Sequence, residues 1–220
     1  RGVLMKGGSG TLVYQGASAF TNFVAARGGT LVLDYRNNNS RKLASAYGMT
    51  NALAVRGAIE FIGNDAADTI ERVTDIDTTE LSLPASRASY GPGSITIRTG
   101  MGRNFTLQAR RITRVVAGDG ANPLDITLVN NGGGAAQVAV AAQSDGVIGG
   151  HHTFNRSTWL KIAGGVVTGL ADGDYSTVFA ADDSGTNQNV DVKVNTTIST
   201  NVYVQTMRFN SPAATTSAGT

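Results

Sequence analysis

The sequence has no cysteine, four prolines and two histidines in 220 residues. Without cysteine there is no disulfide scaffold, no zinc finger, no iron–sulfur ligation and no cysteine nucleophile. Charged residues make up 15%, where about a quarter is usual for a soluble domain. No apolar run approaches the ~20 residues that a membrane-spanning helix requires, so no membrane-spanning segment is expected. The 18 basic and 16 acidic side chains nearly cancel, and aliphatic residues are plentiful, which excludes charge-driven disorder.

What the chain has is glycine, threonine and asparagine: 28, 25 and 16 residues respectively. Its hydrophobic fraction of 41% suffices for a sizeable core. Short apolar or alternating runs of β-branched residues recur along it. Examples are Thr11–Tyr14, Thr30–Leu33, Ala58–Ile62, Glu80–Leu83, Ser94–Ile97, Asn104–Leu107 and Ile112–Val116. Leu124–Leu128, Ala136–Val140, Val190–Val194 and Asn201–Gln205 continue the series. Runs of this length and composition predict strands. The Gly-Gly, Asn-Asn, Gly-Asp-Gly and Pro-Gly clusters between them supply turns. Two short segments, Ser40–Tyr47 and Ala66–Val73, offer one or two helical turns. The expected fold is all-β.

Gly10-Thr-Leu-Val-Tyr14 recurs as Gly29-Thr-Leu-Val-Leu33, and Gly57-Ala-Ile-Glu-Phe61 is a weaker third copy. A period near 20 residues, with glycine before each strand, suits the coils of a parallel β-solenoid. A β-sandwich or jelly roll also has many short strands and stands as the alternative. Residues 143–187 are the least regular, and Trp159 and Tyr175 fall within them.

Residues 4–34 carry a more specific pattern in Lys6, Gly8, Gly10, Thr11, Leu12, Gly16, Val24, Gly29, Thr30, Leu31 and Leu33. This segment resembles the autotransporter-associated β-strand repeat. Phe20, Phe23 and Arg27 depart from that pattern. The resemblance implies a right-handed parallel β-helix on the surface of a bacterium or in its extracellular material, as part of a longer passenger, and implies no fixed activity. With Arg1 first and no signal peptide, a processed product or a segment of a longer chain is expected. Residues 1–220 then form one solenoid domain, with 211–220 as a tail or linker.

Catalytic and ligand-binding chemistry finds little support. His151-His152 are adjacent, and adjacent strand residues point to opposite faces, so two-histidine chelation is awkward and a solvated loop is expected. Asp182–Asp191 offers oxygen ligands near a glycine but lacks the spacing of a calcium loop. Asp34, Glu60, Asp75, Asp77 and Glu80 are candidate carboxylates for glycoside hydrolysis, yet no motif selects a pair. No Gly-x-Ser-x-Gly elbow or phosphate-binding loop is present. No catalytic residue, metal ligand or cofactor is assigned, and the chain is not expected to be an enzyme.

Charge is unevenly placed. Residues 1–114 carry net +6 and residues 115–220 net −4. The basic stretch 81–118 contains Arg98, Arg103, Arg110, Arg111 and Arg114, and the acidic stretch 162–192 contains Asp172, Asp174, Asp182 and Asp183. No aromatic stacking set accompanies the arginines, so nucleic acid is not the expected partner. These nine residues are instead candidate contacts between copies. Neither end of the chain shows a sequence-level cap, which points to a heterologous, non-closing contact. The expected function is a stiff structural β-solenoid that self-assembles into a filament or sheath, or an adhesive passenger for surface glycans or matrix. A carbohydrate-active β-helix enzyme or spike-like depolymerase is the alternative.

Overall fold

A computed structural model describes residues 3–17, 20, 23–43, 52–78, 92–113, 123–177, 179, 188–198, 202–210 and 216–218. The fold is all-β, with strands numbered here in chain order and one 3₁₀ turn at Asp172–Asp174 among the described residues. The chain divides into two compact units, 1–168 and 169–220.

In the first unit, β1 (Leu4–Lys6), β3 (Phe23–Ala26), β5 (Ala52–Val55), β8 (Asp75–Asp77) and β11 (Arg111–Thr113) lie side by side in parallel. β2 (Thr11–Tyr14), β4 (Thr30–Asp34), β6 (Ala58–Ile62), β9 (Gly93–Arg98) and β12 (Leu124–Val129) form a second parallel ladder. A third joins β7 (Thr69–Arg72), β10 (Phe105–Ala109) and β13 (Ala136–Val140). The chain passes through the ladders in a fixed order, so that β8, β9 and β10 are followed by β11, β12 and β13.

Thr11, Thr30, Ala58, Ser94 and Asp125 are in register, so successive turns take 19, 28, 36 and 31 residues. The expected period near 20 therefore describes the first interval alone; the later ones have longer connections, and from β7 onward a third strand is added. The register builds apolar columns. Leu12 stands at the end of one that continues through Leu31, Ile59, Ile95 and Ile126, which are each at most 1% exposed. At roughly 25 cal/mol per Å² of apolar surface removed from water, such columns are the main stabilising term. Phe105 adds edge-on contacts to Tyr35 and Phe61, with centroids 5.4 and 5.6 Å away.

Close stacking also explains the corner glycines. Gly29 has φ +59°, and a Cβ there would lie 2.2 Å from the Gly10 carbonyl oxygen of the turn before. A side chain meets both backbone strain and a backbone clash at that corner.

The pairing changes beyond β13. β15 (Thr153–Phe154) pairs parallel with β12 and antiparallel with β16 (Thr158–Ala163). β14 (Gly146–Val147) is antiparallel to β16, and β17 (Val166–Gly169) pairs antiparallel with β13. β15, β16 and β17 thereby join the second and third ladders into one curled sheet of mixed direction. Two tight turns make this possible. Asn155 and Arg156 have φ of 51° and 56°, and Gly164 and Gly165 have φ of 57° and 74°. Positive φ at both residues gives each turn a backbone twist that matches the right-handed twist of the flanking strands. Ile148, Leu160, Ile162 and Val167 are buried in the same core as the columns. The segment expected to be irregular thus lies against β12 and β13 at the far end of this unit.

Two other expectations change. Ala66–Val73 is not helical: Thr69–Arg72 is β7, with Thr69 and Glu71 buried and Ile70 and Arg72 exposed in strand alternation. Ser40–Leu43 is not helical either, because the Lys42 and Leu43 amides donate to the Glu71 carboxylate. The rest of Ser40–Tyr47 and the expected strand Glu80–Leu83 lie outside the described residues.

The second unit repeats the parallel pattern with two strands per turn. β18 (Gln188–Val192) pairs with β20 (Val204–Phe209), and β19 (Thr196–Ile198) pairs with β21 (Thr216–Ala218). Ser176 bridges Val190 on the other side of β18.

Candidate functional site

Four features of the molecule can carry function: an open strand edge, two sets of surface charges, a buried polar joint and the histidine pair. The edge comes first. Among the described residues, β1 pairs only with β3 and β2 only with β4. The Thr30 amide donates to the Gly10 carbonyl, and the alternation of a parallel ladder then turns the Thr11 and Val13 amides away from β4. Around this edge Val3, Met5, Leu12 and Val13 are exposed, Leu12 at 37% and Val13 at 52%. At the opposite edges, single side chains engage backbone groups. Gln143 accepts the Ile112 amide of β11 through its side chain, at 2.8 Å. Asn39 donates to the Asp68 carbonyl beside β7.

The Gly-Lys corner before β2 shows what holds the first turn. The Lys6 side chain is nearly buried, and its ammonium donates to the Gly7, Gly8 and Gly28 carbonyls at 2.5, 2.9 and 3.2 Å. A cation thus closes a corner whose carbonyls converge.

The charged candidates do not form one patch. Arg98 pairs with Glu60 of the preceding turn, and Arg110 and Arg111 both reach Asp75. A basic stretch without acids in the sequence is thus partly neutralised by acids from the adjacent turn. Arg103 is exposed, with no ion pair among the described residues. In the second unit, Asp172 is 85% exposed and pairs with Arg208. Asp174 accepts the Ala171 amide at 2.7 Å. Arg114, Asp182 and Asp183 lie outside the described residues, as does most of the acidic loop considered for calcium. No group of three metal-ligating side chains is present among the described residues.

The buried joint was not legible in the sequence. Tyr35, Lys42 and Glu71 are all 0% exposed. Glu71 accepts from the Tyr35 hydroxyl at 2.6 Å and from the Lys42 and Leu43 amides at 2.6 and 3.0 Å. The Lys42 ammonium donates to the Gln15, Gly16 and Asn38 carbonyls and lies 4.7 Å from the centre of the Tyr35 ring. Burial pushes the Tyr35 hydroxyl well above its ordinary value, and the Glu71 charge adds to the effect. Burial lowers Lys42, against the pull of Glu71 and Asp34. Beside this joint, Asp34 is held well below the usual carboxylate range by the Arg36 guanidinium; burial opposes this, and Gln15 reinforces it. Perturbed ionisation often marks an active site. Here the groups are sealed from solvent and consumed by one another, so the cluster acts as a structural clamp.

The histidine pair is not a solvated loop. His152 is 0% exposed, and its Nδ1 accepts the Leu124 amide at 3.0 Å, linking the segment before β15 to the start of β12. The rings of His151 and His152 lie 4.1 Å apart. Trp159 sits on β16.

In comparisons with protein-family models, curated proteins and solved structures, nothing matches this chain.

Proposed function

We propose that this chain is a non-enzymatic structural protein: a segment of right-handed parallel β-solenoid, bacterial and extracellular or surface-exposed, that associates with copies of itself. The observation that carries this reading is the register of Thr11 with Thr30, Ala58, Ser94 and Asp125. It places the repeated Gly-Thr-Leu segments at residues 10–12 and 29–31 directly one above the other. Those segments are also the core of the resemblance to the autotransporter-associated β-strand repeat. Each turn satisfies its backbone through its neighbours, which makes a stiff unit.

The carboxylates support the same reading against the depolymerase alternative. Of the candidate carboxylates, Asp34 holds Arg36, Glu60 pairs with Arg98, Asp75 pairs with Arg110 and Asp77 accepts from Thr113, while Glu80 lies outside the described residues. Each of these four is engaged within the fold.

Sedimentation velocity and negative-stain electron microscopy over a wide concentration range at low salt test the reading. Growth of larger species with concentration is the expected result. A monomer at every concentration, or release of reducing ends from a polysaccharide by the purified chain, overturns it.

A further inference from the structure

We propose that His152 is an acid-sensitive latch: protonation of its imidazole releases the β14–β17 segment from β12.

Among the described residues this segment is attached to the parallel ladders at few points. β15 pairs with β12 through Thr153 and Phe154, and β17 meets β13 at the pair of Val166 with Ala139. Side chains extend the attachment on both sides of the two-residue ladder. The Leu128 amide donates to Asn155 Oδ1 at 2.9 Å, and the Leu124 amide donates to His152 Nδ1 at 3.0 Å. The Asn155 side chain does not titrate, whereas the imidazole does.

The chemistry of the ring makes its contact conditional. A neutral imidazole accepts at one nitrogen, and here that nitrogen is Nδ1. A proton on Nδ1 turns the acceptor into a donor that faces the Leu124 N–H. His152 is 0% exposed, and so are the two residues it bonds, Leu124 through its ring and Leu160 through its carbonyl. An imidazolium at this point loses its hydration and meets a donor in place of an acceptor. The ring of His151 lies 4.1 Å away, so a second proton adds like-charge repulsion.

The charged side chains on the elements packed around the ring are Asp125 on β12, Arg156 in the turn after β15, Lys161 on β16 and Asp145 before β14. β13, β14, β15 and β17 carry none. Asp125 and Lys161 each stand between two buried apolar neighbours, so strand alternation puts them on the outer face. Asp125 accepts from Thr127, Thr153 and the Arg156 amide, and Asp145 accepts the Gly164 amide. β9, beside β12, carries Arg98 at its far end, paired with Glu60. These carboxylates are thus committed to other partners.

Once released, a solvated imidazole takes its proton at about pH 6.5. The open form then binds more protons than the closed one, so closure is strongest above that pH and weakens as pH falls. This window lies above the range in which carboxylates titrate.

The test follows amide hydrogen exchange in the full chain at pH 7.5 and 5.5, corrected for the intrinsic exchange rate. The opening constant at the Leu124 and Leu160 amides is expected to rise about tenfold. That at the Phe61 amide, on β6 between β4 and β9, is expected to stay constant. His152→Asn keeps a side-chain acceptor and removes the titrating group, so its Leu124 protection is expected not to change with pH. His151→Asn is expected to retain most of the wild-type rise. Circular dichroism checks the fold of each variant. Equal protection of Leu124 at both pH values in the wild-type chain, or an undiminished rise in His152→Asn, overturns the latch. An equal rise at Phe61 overturns it too, because the opening is then global. Should His152→Asn not fold, His152→Gln offers the acceptor on a longer stem, and the comparison of Leu124 with Phe61 in the wild-type chain decides in either case.

Discussion

The hydroxyl of Tyr35 donates to Glu71 Oε2 across 2.6 Å, at zero exposure and 36 residues apart in the chain. The same oxygen accepts the Lys42 and Leu43 amides, and Oε1 accepts the Arg72 amide at 2.8 Å. One buried carboxylate thus ties the segment after β4 against the outer edge of β7. That edge would otherwise lie open, because among the described residues the first two turns contribute no strand to the third ladder.

Removing Glu71 should therefore cost far more than removing its phenol partner. Glu71→Ala leaves the Tyr35 hydroxyl and three amides without their acceptor, beside the buried Lys42. Breaking such a set costs about 3–5 kcal/mol. Tyr35→Phe removes one donor and leaves the carboxylate with its amides, at a cost of about 1–2 kcal/mol. Urea unfolding of the two variants gives the comparison. Equal losses would mean that Glu71 is not the joint.

Acid should weaken the first unit through Asp34. Its carboxyl is fully buried and is held below its ordinary value by Arg36, with help from Gln15. A carboxyl depressed in the folded state binds fewer protons there than in the unfolded chain. Its contribution is therefore complete above the unfolded value of about 3.9 and is lost as pH falls toward the folded value. Unfolding midpoints measured from pH 6 down to pH 2 should drop steeply for the native chain. Asp34→Asn should start lower and change less over the same range. Parallel profiles would remove Asp34 from the account of acid sensitivity.

Gly8 and Gly29, at the corners before β2 and β4, should respond differently to alanine. Both have positive φ, +71° and +59°. Nothing lies within 4 Å of a Cβ at Gly8, whereas at Gly29 it would meet backbone atoms at 2.2 and 2.6 Å. Gly8→Ala should cost the left-handed penalty alone, about 1–2 kcal/mol. Gly29→Ala should cost more than Gly8→Ala by at least ~1 kcal/mol, because the corner of the adjacent turn has to move. Thermal midpoints of the two variants check this ordering.

The repeat was legible because Gly10, Gly29 and Gly57 precede strands that stack, so one local signature marks each turn. The fourth such corner, Gly93, went unread because 36 residues separate Ala58 from Ser94, and a search at fixed spacing does not reach it. Glu71 and Lys42 were unreadable for a different reason. Their partners are backbone groups and a phenol brought together by the fold, and no spacing in sequence records that. Thr69–Arg72 resembled a helical turn because its alternation spans four residues, too few to separate a period of 2 from one of 3.6. The β14–β17 segment was hidden in the short hairpins of Asn155-Arg156 and Gly164-Gly165, whose strands are two to six residues long. The charge asymmetry was visible as a sum. That Arg98 meets Glu60, and Arg110 meets Asp75, depends on which turns lie side by side.

In the second unit, Arg208 should be the residue whose loss is felt most. It donates to Asp191 at 2.9 Å and to Asp172 at 2.7 Å, and its guanidinium lies 3.9 Å from the centre of the Tyr175 ring. Asp191 has a side chain 2% exposed. Burial alone would raise its carboxyl, and hydrogen bonds from Arg208 and Asn210 with the charges of Arg208 and Lys193 outweigh that effect and lower it. Arg208→Ala leaves that carboxylate buried with its strongest partner gone, which costs about 3 kcal/mol. The Asp172 contact contributes little to this figure, because Asp172 is 85% exposed and exposed pairs are worth about 0–1 kcal/mol. Adding Asp191→Asn to Arg208→Ala removes the stranded charge and should recover part of the loss. Because the chain has two units, the measurement has to be local: hydrogen exchange at the β18 and β20 amides, read in the single and double variants. Protection should fall in Arg208→Ala and return partly in the double variant. Protection equal in both would show that the stranded Asp191 charge is not the source of the loss.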